Sequence, residues 1–160
     1  YYFKTPVGWT KVTADDNSIN SISTIKEEID IEQDRLESQP KLIRHCVAEL
    51  DEYFAGSRME FTFPMKQEGT DFQQKVWQEL LKIPYGTTIS YGELAKHMGD
   101  NKLTRAVGSA NGKNKLWIVV PCHRVIGANG SLTGYAGGIE CKKWLLQHEA
   151  KYIKSDYKLF

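Results

Sequence analysis

The sequence predicts an α+β protein, in which a small amino-terminal domain with a sheet and a helix precedes a mainly helical domain with a helix-turn-helix. Three observations support this prediction: strand-like alternation at the start of the chain, closely spaced helix-start signals after residue 69, and a change of charge along the chain. A chain of 160 residues can bury a core in one domain or in two small ones. We place the domains at residues 1–67 and 68–160.

The amino-terminal domain begins with alternating apolar and polar residues, interrupted by the turn signal Asp15-Asp16-Asn17. The highly charged residues 25–37 favour a loop or a sheet edge. Pro40 fits the first turn of a helix whose apolar face includes Cys46 and which Gly56 can end. We therefore interpret Cys46 as a core residue.

Two further apolar runs predict strands. The run "FTFPM" at 61–65 predicts a short strand before the domain boundary. The run "LWIVV" at 116–120 predicts a buried strand that ends at Pro121. A strand that ends there presents Cys122 at an edge and not in the middle of the core.

Three helices are predicted in close succession in the second domain. The patterns T-x-x-Q at 70–73 and S-x-x-E at 90–93 are capping boxes, each of which opens a helix. Gly99 can close the second helix, and residues 103–112 form a third with an apolar face. Two short helices joined by a tight turn are typical of a helix-turn-helix, although a helical hairpin without a role in DNA binding is the alternative.

The charge distribution favours a nucleic-acid partner for the second domain. Residues 1–60 carry 7 Lys and Arg against 12 Asp and Glu, whereas residues 61–160 carry 14 against 8. An unbalanced solvated surface is the alternative explanation. The second helix of the helix-turn-helix has mostly small residues, and Arg105 is its main long side chain. Such a face suits a shallow contact in the minor groove that is indifferent to sequence.

The cysteines indicate a reducing, intracellular setting. Cys46, Cys122 and Cys141 form no closely spaced pair, which argues against a disulfide framework and against a C-x-x-C zinc site. No apolar run approaches the roughly 20 residues of a membrane helix. We expect no membrane partner and a location in the cytoplasm of a prokaryote, or in the nucleus if the source is eukaryotic.

The stretch "VVPCHRV" at 119–125 places a thiol, an imidazole and a guanidinium in a row. A free cysteine has a pKa of about 8.5, so a nucleophilic role requires a proton acceptor. His123 can take the proton, a carboxylate such as Glu149 can hold the imidazole, and Arg124 adds positive charge. A buried structural cysteine is the alternative. Beside a DNA-binding element, the electrophile would be a base flipped out of the duplex, with Arg105 in the vacated space.

The runs "ISYGELA", "RAVGSANGKN", "PCHRV" and "GYAGG", in this order and spacing, closely resemble 6-O-alkylguanine-DNA alkyltransferases, also called methylated-DNA–protein-cysteine methyltransferases. The resemblance is strong over residues 68–150 and weaker before them. It implies a ribonuclease-H-like first domain and a winged-helix-like second domain. It also implies direct damage reversal: the alkyl group of 6-O-alkylguanine or 4-O-methylthymine in double-stranded DNA moves irreversibly to Cys122, once per molecule.

The resemblance further implies the roles of the site residues. His123 corresponds to a water-bridged base, and Glu149 to the carboxylate that orients it. Tyr91 corresponds to the tyrosine that donates a proton to the departing guanine. Arg105 corresponds to the arginine that replaces the flipped base in the stack.

The remaining expected site residues line the pocket or contact DNA. Asn114 corresponds to the asparagine that ties the recognition helix to the active-site strand, and Lys142 to a nearby lysine of open role. The pocket wall is expected to comprise Tyr135, Ala136 and Gly137. Further DNA contacts are expected from Ser90, Tyr91, Thr104, Ala106, Gly108, Ser109 and Arg124.

The chain departs from the family pattern at a few positions. Lys115 follows Asn114 where proline is usual, Trp117 is bulky, and Ala136 stands where some members have serine. The first domain lacks the cysteine and histidine ligands that bind zinc in some members. We therefore predict no metal and no cofactor, and we expect a monomer, with cooperative binding along DNA left open.

Three other functions compete with alkyl transfer. An alkyltransferase-like protein would bind the lesion without accepting the alkyl group, but such proteins replace the acceptor cysteine, and Cys122 is present. A cysteine hydrolase would need an oxyanion hole and would turn over. A plain DNA-binding regulator would need more base-reading side chains than the recognition helix offers.

Overall fold

The computed structural model describes residues 1–133, 135 and 137–158, with side chains described up to Ile153. The chain divides into two compact units, Tyr1–Gln67 and Glu68–Phe160. The first unit holds an antiparallel sheet and a helix, and the second is mainly helical. This arrangement confirms the predicted α+β class.

The sheet of the first unit has three antiparallel strands in the order β1-β2-β3. The strands are β1 (Tyr2–Thr5), β2 (Gly8–Ala14) and β3 (Ile19–Ile25). The predicted turn between β2 and β3 is held by Asp15, whose Oδ1 accepts hydrogen bonds from the backbone N–H groups of Asn17 at 2.7 Å and Ser18 at 2.8 Å. A short acidic side chain thus closes the hairpin by mimicking a backbone acceptor.

Helix α1 (Lys41–Ala55) packs against β2 and β3 with its apolar face. Cys46 is fully buried on that face, which confirms its interpretation as a core residue. Gly56 ends the helix in the left-handed conformation, with φ of 85°, where glycine avoids the strain of a side chain. Pro40 lies at the N-cap and not in the first turn, so that prediction was wrong by one position.

The predicted strand at "FTFPM" does not form. In this segment, one isolated parallel bridge joins Met65 to Ile19, through bonds from Ile19 N to Pro64 O and from Lys66 N to Ile19 O. Pro64 has no N–H to donate, so the ladder cannot extend through it.

The second unit contains four helices in its described part: α2 (Asp71–Leu80), α3 (Tyr91–His97), α4 (Thr104–Gly112) and α5 (Ile139–Lys158). The predicted capping box of α2 is complete, since Thr70 and Gln73 each accept from the other's backbone N–H. At α3, the Ser90 hydroxyl accepts from Glu93 N at 3.0 Å. None of the described helices is both long and apolar enough to cross a bilayer.

Helices α3 and α4 form the predicted helix-turn-helix. Gly99, with φ of 109°, and a 3₁₀ turn at Asn101–Leu103 connect them, so the break is short. Trp77 on α2 donates its indole N–H to Ala110 O at 2.9 Å, which anchors α4 from behind. Two short parallel strands, β4 (Ile89–Ser90) and β5 (Val125–Ile126), pair beside the helices.

The segment "LWIVV" is buried but is not a strand, which corrects the prediction. Ile118 has φ of 74° and lies inside a γ-turn closed by Val119 N and Trp117 O at 2.8 Å. Pro121, with φ of −81° and ψ of 63°, is the centre of an inverse γ-turn closed by Cys122 N and Val120 O at 2.8 Å. Two γ-turns, centred on Ile118 and Pro121, therefore precede Cys122.

Candidate active site

Cys122 begins a 3₁₀ turn, Cys122–Arg124, that joins the two γ-turns to β5. The Asn114 amide fixes the incoming segment: its Nδ2 donates to Val120 O at 2.9 Å and its Oδ1 accepts from Leu116 N at 3.1 Å. Asn114 lies two residues after Gly112, the last residue of α4, so its side chain holds the chain between that helix and the cysteine segment. The thiol residue is 5% exposed and lies in the core, not at an exposed edge.

His123 and Glu149 meet inside the protein. The two side chains are completely buried, and His123 Nε2 lies 2.7 Å from Glu149 Oε2. An ionised carboxylate can only accept, so Nε2 carries the hydrogen of a neutral imidazole and Nδ1 holds the lone pair. Nδ1 is buried and finds no hydrogen-bond partner among the described residues. His123, which follows Cys122 in the sequence, therefore has a basic nitrogen that can accept a proton.

Arg124 completes the carboxylate's environment. Its Nε and Nη2 donate to Glu149 at 2.8 and 3.0 Å, and its Nη1 donates to Ile83 O at 2.7 Å. The residue is 6% exposed, so its guanidinium is committed to the protein interior. The position of Arg124 therefore does not support the expectation that it contacts DNA. Its guanidinium is buried and already donates to Glu149 and Ile83, so it does not face a phosphate of the DNA backbone.

The electrostatics keep both reactive groups neutral at rest. Burial raises the pKa of Cys122 to about 11, although the amide of Asn114 and the charge of Lys142 oppose this rise. Burial also lowers the pKa of His123 despite the opposing effect of Glu149. Burial disfavours ionisation of Glu149, but the bonds from His123 and Arg124 outweigh it and hold its pKa well below the ordinary value. The site therefore holds a neutral thiol and a neutral imidazole near an ionised carboxylate.

Tyr91 and Lys142 lie close to the thiol. Tyr91, the first residue of α3, donates its hydroxyl to Thr133 O at 3.1 Å. Lys142 is fully buried and donates to Val125 O at 2.6 Å and to Thr133 O at 3.0 Å, with its Nζ 5.8 Å from the Tyr91 ring. Burial lowers the pKa of Lys142, and interaction with Cys122 opposes this fall. Burial and interaction with Cys122 both raise the pKa of Tyr91.

Two aromatic side chains, Tyr135 and Trp117, lie together near the expected pocket wall. The rings of Tyr135 and Trp117 lie 5.7 Å apart, and the Trp117 indole donates to Asn114 O at 3.0 Å. A side chain at position 137 would force these rings to move, because a Cβ would lie 2.7 Å from the Tyr135 ring and 3.1 Å from Trp117. Ala136 lies outside the described residues. In the described part of the chain, no three His, Cys, Asp or Glu side chains come together to hold a metal ion.

Comparisons with known proteins identify the family. The family model described as the 6-O-methylguanine DNA methyltransferase, DNA binding domain, matches residues 71–151, and that of the ribonuclease-like domain matches residues 1–67. This chain belongs to the 6-O-methylguanine DNA methyltransferase family.

Named relatives of this methyltransferase family match most of the chain. A methylated-DNA–protein-cysteine methyltransferase of Methanosarcina acetivorans is 42% identical over 153 residues, which cover 93% of this chain and 97% of the relative. The crystal structure of the Mycobacterium tuberculosis O6-methylguanine methyltransferase has a TM-score of 0.84 at 40% identity and covers 99% of this chain and 96% of that one. A structure of Mycobacterium tuberculosis OGT in complex with DNA has a TM-score of 0.82 at 42% identity, covering 94% of this chain and 92% of that one.

Most of the residues predicted from the sequence to contact DNA lie on α4. Thr104, Arg105, Ala106 and Ser109 are exposed, whereas Val107 and Ala110 are buried. Gly108 is partly exposed and faces Tyr91, since a Cβ there would meet the tyrosine ring at 3.8 Å. Ser90 is partly exposed at the start of α3. The small side chains and the single long cation therefore share one accessible face.

Sequence reasoning missed Asn111. It is 3% exposed on the inner face of α4, and its Nδ2 donates to the backbone oxygen of Cys122 at 3.4 Å. A signal existed: Asn111 lies four residues after Val107, so it is a polar residue on the apolar face of the helix. Buried polar residues at such positions have specific partners.

Proposed function

We propose that this protein repairs DNA by moving the alkyl group of 6-O-alkylguanine, and of 4-O-methylthymine, to Cys122 in a single irreversible event. This proposal rests on the Cys122-His123-Glu149 arrangement, in which a buried thiol is followed in sequence by a neutral imidazole whose Nδ1 has no partner among the described residues. The membership of both domains in the methyltransferase family supports it.

The chemistry is a displacement at the alkyl carbon. The Cys122 sulfur forms the new S–C bond, the bond between that carbon and the guanine 6-oxygen breaks, and its electron pair stays on the base. His123 Nδ1 takes the thiol proton directly or through a water, and Glu149 stabilises the resulting imidazolium. The Tyr91 hydroxyl supplies a proton to the departing guanine.

The high pKa of Cys122 suits this scheme. A permanent thiolate would react with any available electrophile, whereas a thiol with a pKa of about 11 becomes nucleophilic only as its proton moves to His123. Arg124 acts through Glu149: it keeps the carboxylate ionised and therefore able to stabilise a positive imidazole. We assign Arg124 as a positioning residue.

DNA is bound through the helix-turn-helix. Backbone contacts from Ser90, Thr104, Ala106, Gly108 and Ser109 on a small-residue face allow close approach in the minor groove. Arg105 is the long exposed cation of that face and replaces the flipped base in the stack. Tyr135 and Gly137 wall the pocket that receives the base, and Lys142 holds the loop at Thr133. The protein acts as a monomer.

Mass spectrometry tests the function directly. The protein is mixed with excess duplex carrying one 6-O-methylguanine, and intact and peptide masses are recorded, with an undamaged duplex of the same sequence as the control. We expect a gain of one CH₂ on the peptide that contains Cys122, with a limit of one per molecule. An unmodified protein that still binds the lesion would indicate a lesion-binding protein. Multiple turnovers on an ester substrate would indicate a hydrolase.

A further inference from the structure

The buried amide of Asn111 suits a role in substrate specificity, an inference that rests on the proposed function. Asn111 lies on α4 with 3% of its surface exposed, and its Nδ2 donates to Cys122 O at 3.4 Å. The carbonyl oxygen can only accept, so this bond fixes which end of the amide is nitrogen and which is oxygen. The orientation of Oδ1 is therefore defined.

Oδ1 of Asn111 is a buried acceptor that finds no donor among the described residues. Such an atom is costly, because it has lost water and gained nothing in return. Its amide is bonded to the carbonyl of the acceptor cysteine. The same amide also interacts with the Tyr91 hydroxyl: burial raises the pKa of Tyr91, and a hydrogen bond from Asn111 opposes that rise. The amide of Asn111 therefore lies between the backbone of the acceptor cysteine and the tyrosine that is expected beside the flipped base.

The substrates differ in what they can offer this oxygen. Alkylation of the 6-oxygen removes the N1 proton of guanine, so the exocyclic 2-amino group is the one N–H donor left on the base. 4-O-Methylthymine has no N–H donor at all, because alkylation removes the N3 proton. A buried polar atom that gains a bond from one substrate and stays unpaired with another discriminates strongly between them.

We propose that Asn111 is a specificity-determining residue, whose Oδ1 accepts a hydrogen bond from the 2-amino group of the flipped guanine. The amide then bridges the base and the backbone of Cys122, so recognition of guanine also aligns the thiol. Hypoxanthine alkylated at the same oxygen has the same shape without the amino group and serves as the probe.

The test compares single-turnover methyl transfer from duplexes that differ in one base: 6-O-methylguanine, 6-O-methylhypoxanthine or 4-O-methylthymine. We expect the wild type to favour 6-O-methylguanine over 6-O-methylhypoxanthine by about tenfold or more. Asn111→Leu, which keeps the volume but removes the acceptor, should bring that ratio close to one and raise the relative rate with thymine. Asn111→Ala repeats the test in case the leucine does not pack, and thermal melts confirm folding.

A purely structural role for Asn111 predicts a different result. Loss of its bond to Cys122 would slow all three substrates equally and leave the ratio of guanine to hypoxanthine unchanged, which would overturn the inference. A wild type without preference for the amino group would overturn it too. Failure of the wild type to accept methyl from any of the three bases would instead count against the proposed function.

Discussion

The chain carries the same three residue types twice, in opposite order. Arg44-His45-Cys46 lies in α1 of the first unit, and Cys122-His123-Arg124 forms the 3₁₀ turn of the second. In each unit the histidine Nε2 meets a buried glutamate, at 3.0 Å for Glu49 and 2.7 Å for Glu149. Hydrogen bonds overcome the effect of burial on both glutamates and lower their pKa.

The two clusters differ in what surrounds the histidine and the thiol. His45 is partly exposed, and Glu49 is already occupied by the N–H and hydroxyl of Thr62. Successive residues of a helix point about 100° apart, so His45 and Cys46 face different directions, and Cys46 points into the core with its pKa raised to about 12 by burial and by Glu49. At Cys122, Asn114 and Lys142 oppose the rise. The presence of a cysteine next to a histidine is therefore not enough to make the thiol reactive. The local backbone conformation and the neighbouring side chains decide it.

Removal of each thiol gives the largest contrast. Cys122→Ala should abolish alkyl transfer, because it removes the sulfur that forms the new bond to the alkyl carbon, yet the variant should still bind damaged duplex. Cys46→Ala should keep the wild-type transfer rate and lose about 1 kcal/mol of stability from its core position. Peptide mass spectrometry and denaturant titration measure the two effects. Transfer at full rate in Cys122→Ala would remove that residue as the acceptor.

Neutralising each carboxylate separates catalysis from packing. Glu149→Gln should slow single-turnover transfer by about 100-fold or more, since the imidazolium loses its partner. It should also destabilise the fold by about 3–5 kcal/mol, because Arg124 becomes a buried charge without a carboxylate. The matched variant Glu49→Gln should lose stability but transfer normally once folded. Equal rate losses in both variants would contradict the distinction between the clusters.

The arginines on the exposed faces of the two units test the role of DNA. Arg105→Ala should slow repair of a lesion in duplex DNA by about tenfold, because base flipping costs a few kcal/mol and the vacated stack is left empty. Its reaction with free 6-O-benzylguanine, which needs no flipping, should be unchanged. Arg44→Ala, an exposed arginine of the first unit, is the control and should match the wild type in both assays. A loss with the free base equal to the loss in duplex would end the assignment of Arg105.

Acid should destabilise the cluster of His123 and Glu149, with the smallest effect near neutral pH. The folded pKa of Glu149 is depressed below 4.5, so its stabilising contribution is present above pH 4.5 and is lost as the pH falls toward the folded value. His123, whose pKa is lowered from 6.5, acts in the same direction, since protons favour the unfolded state. Urea titrations should show stability falling below about pH 6.5, with a shallower fall in Glu149→Gln.

The rate of transfer gives a second pH readout. Because the thiol of Cys122 has a pKa of about 11, the rate should not rise through a thiolate titration near pH 8.5. It should instead decline on acidification as His123 becomes protonated and can no longer accept the thiol proton. A rate that follows a single ionisation near 8.5 would mean that the thiolate forms before the base arrives.

Local signals in the sequence predict the helices well. The capping box at 70–73, the start of α3 at Ser90 and the stop at Gly56 all depend on residues within one turn, and the structure contains each of them. The reactive thiol could be recognised because "PCHRV" occurs with its companion runs. These features need no knowledge of distant contacts.

Features that depend on distant contacts were beyond the sequence. The apolar run at 116–120 looks like a strand, but Asn114 bonds both of its ends and bends it. The expected contact of Arg124 with DNA is not supported, and its local sequence contains no sign of this, because its burial depends on Glu149, which is 25 residues away. Asn111 was missed because an asparagine in a helix reveals its role only when the carbonyl of Cys122 is placed beside it.

Ile118 has a consequence for engineering this protein. A branched side chain at φ of 74° costs about 1–2 kcal/mol of backbone strain, which glycine would avoid. Ile118 is 1% exposed, and burial of such a side chain returns about 1.5–3 kcal/mol. The free energy gained by burying isoleucine therefore only slightly exceeds the cost of the backbone strain. Engineering for thermal stability that replaces strained residues with glycine should therefore leave position 118 unchanged, because the relief of backbone strain would be offset by a void in the core.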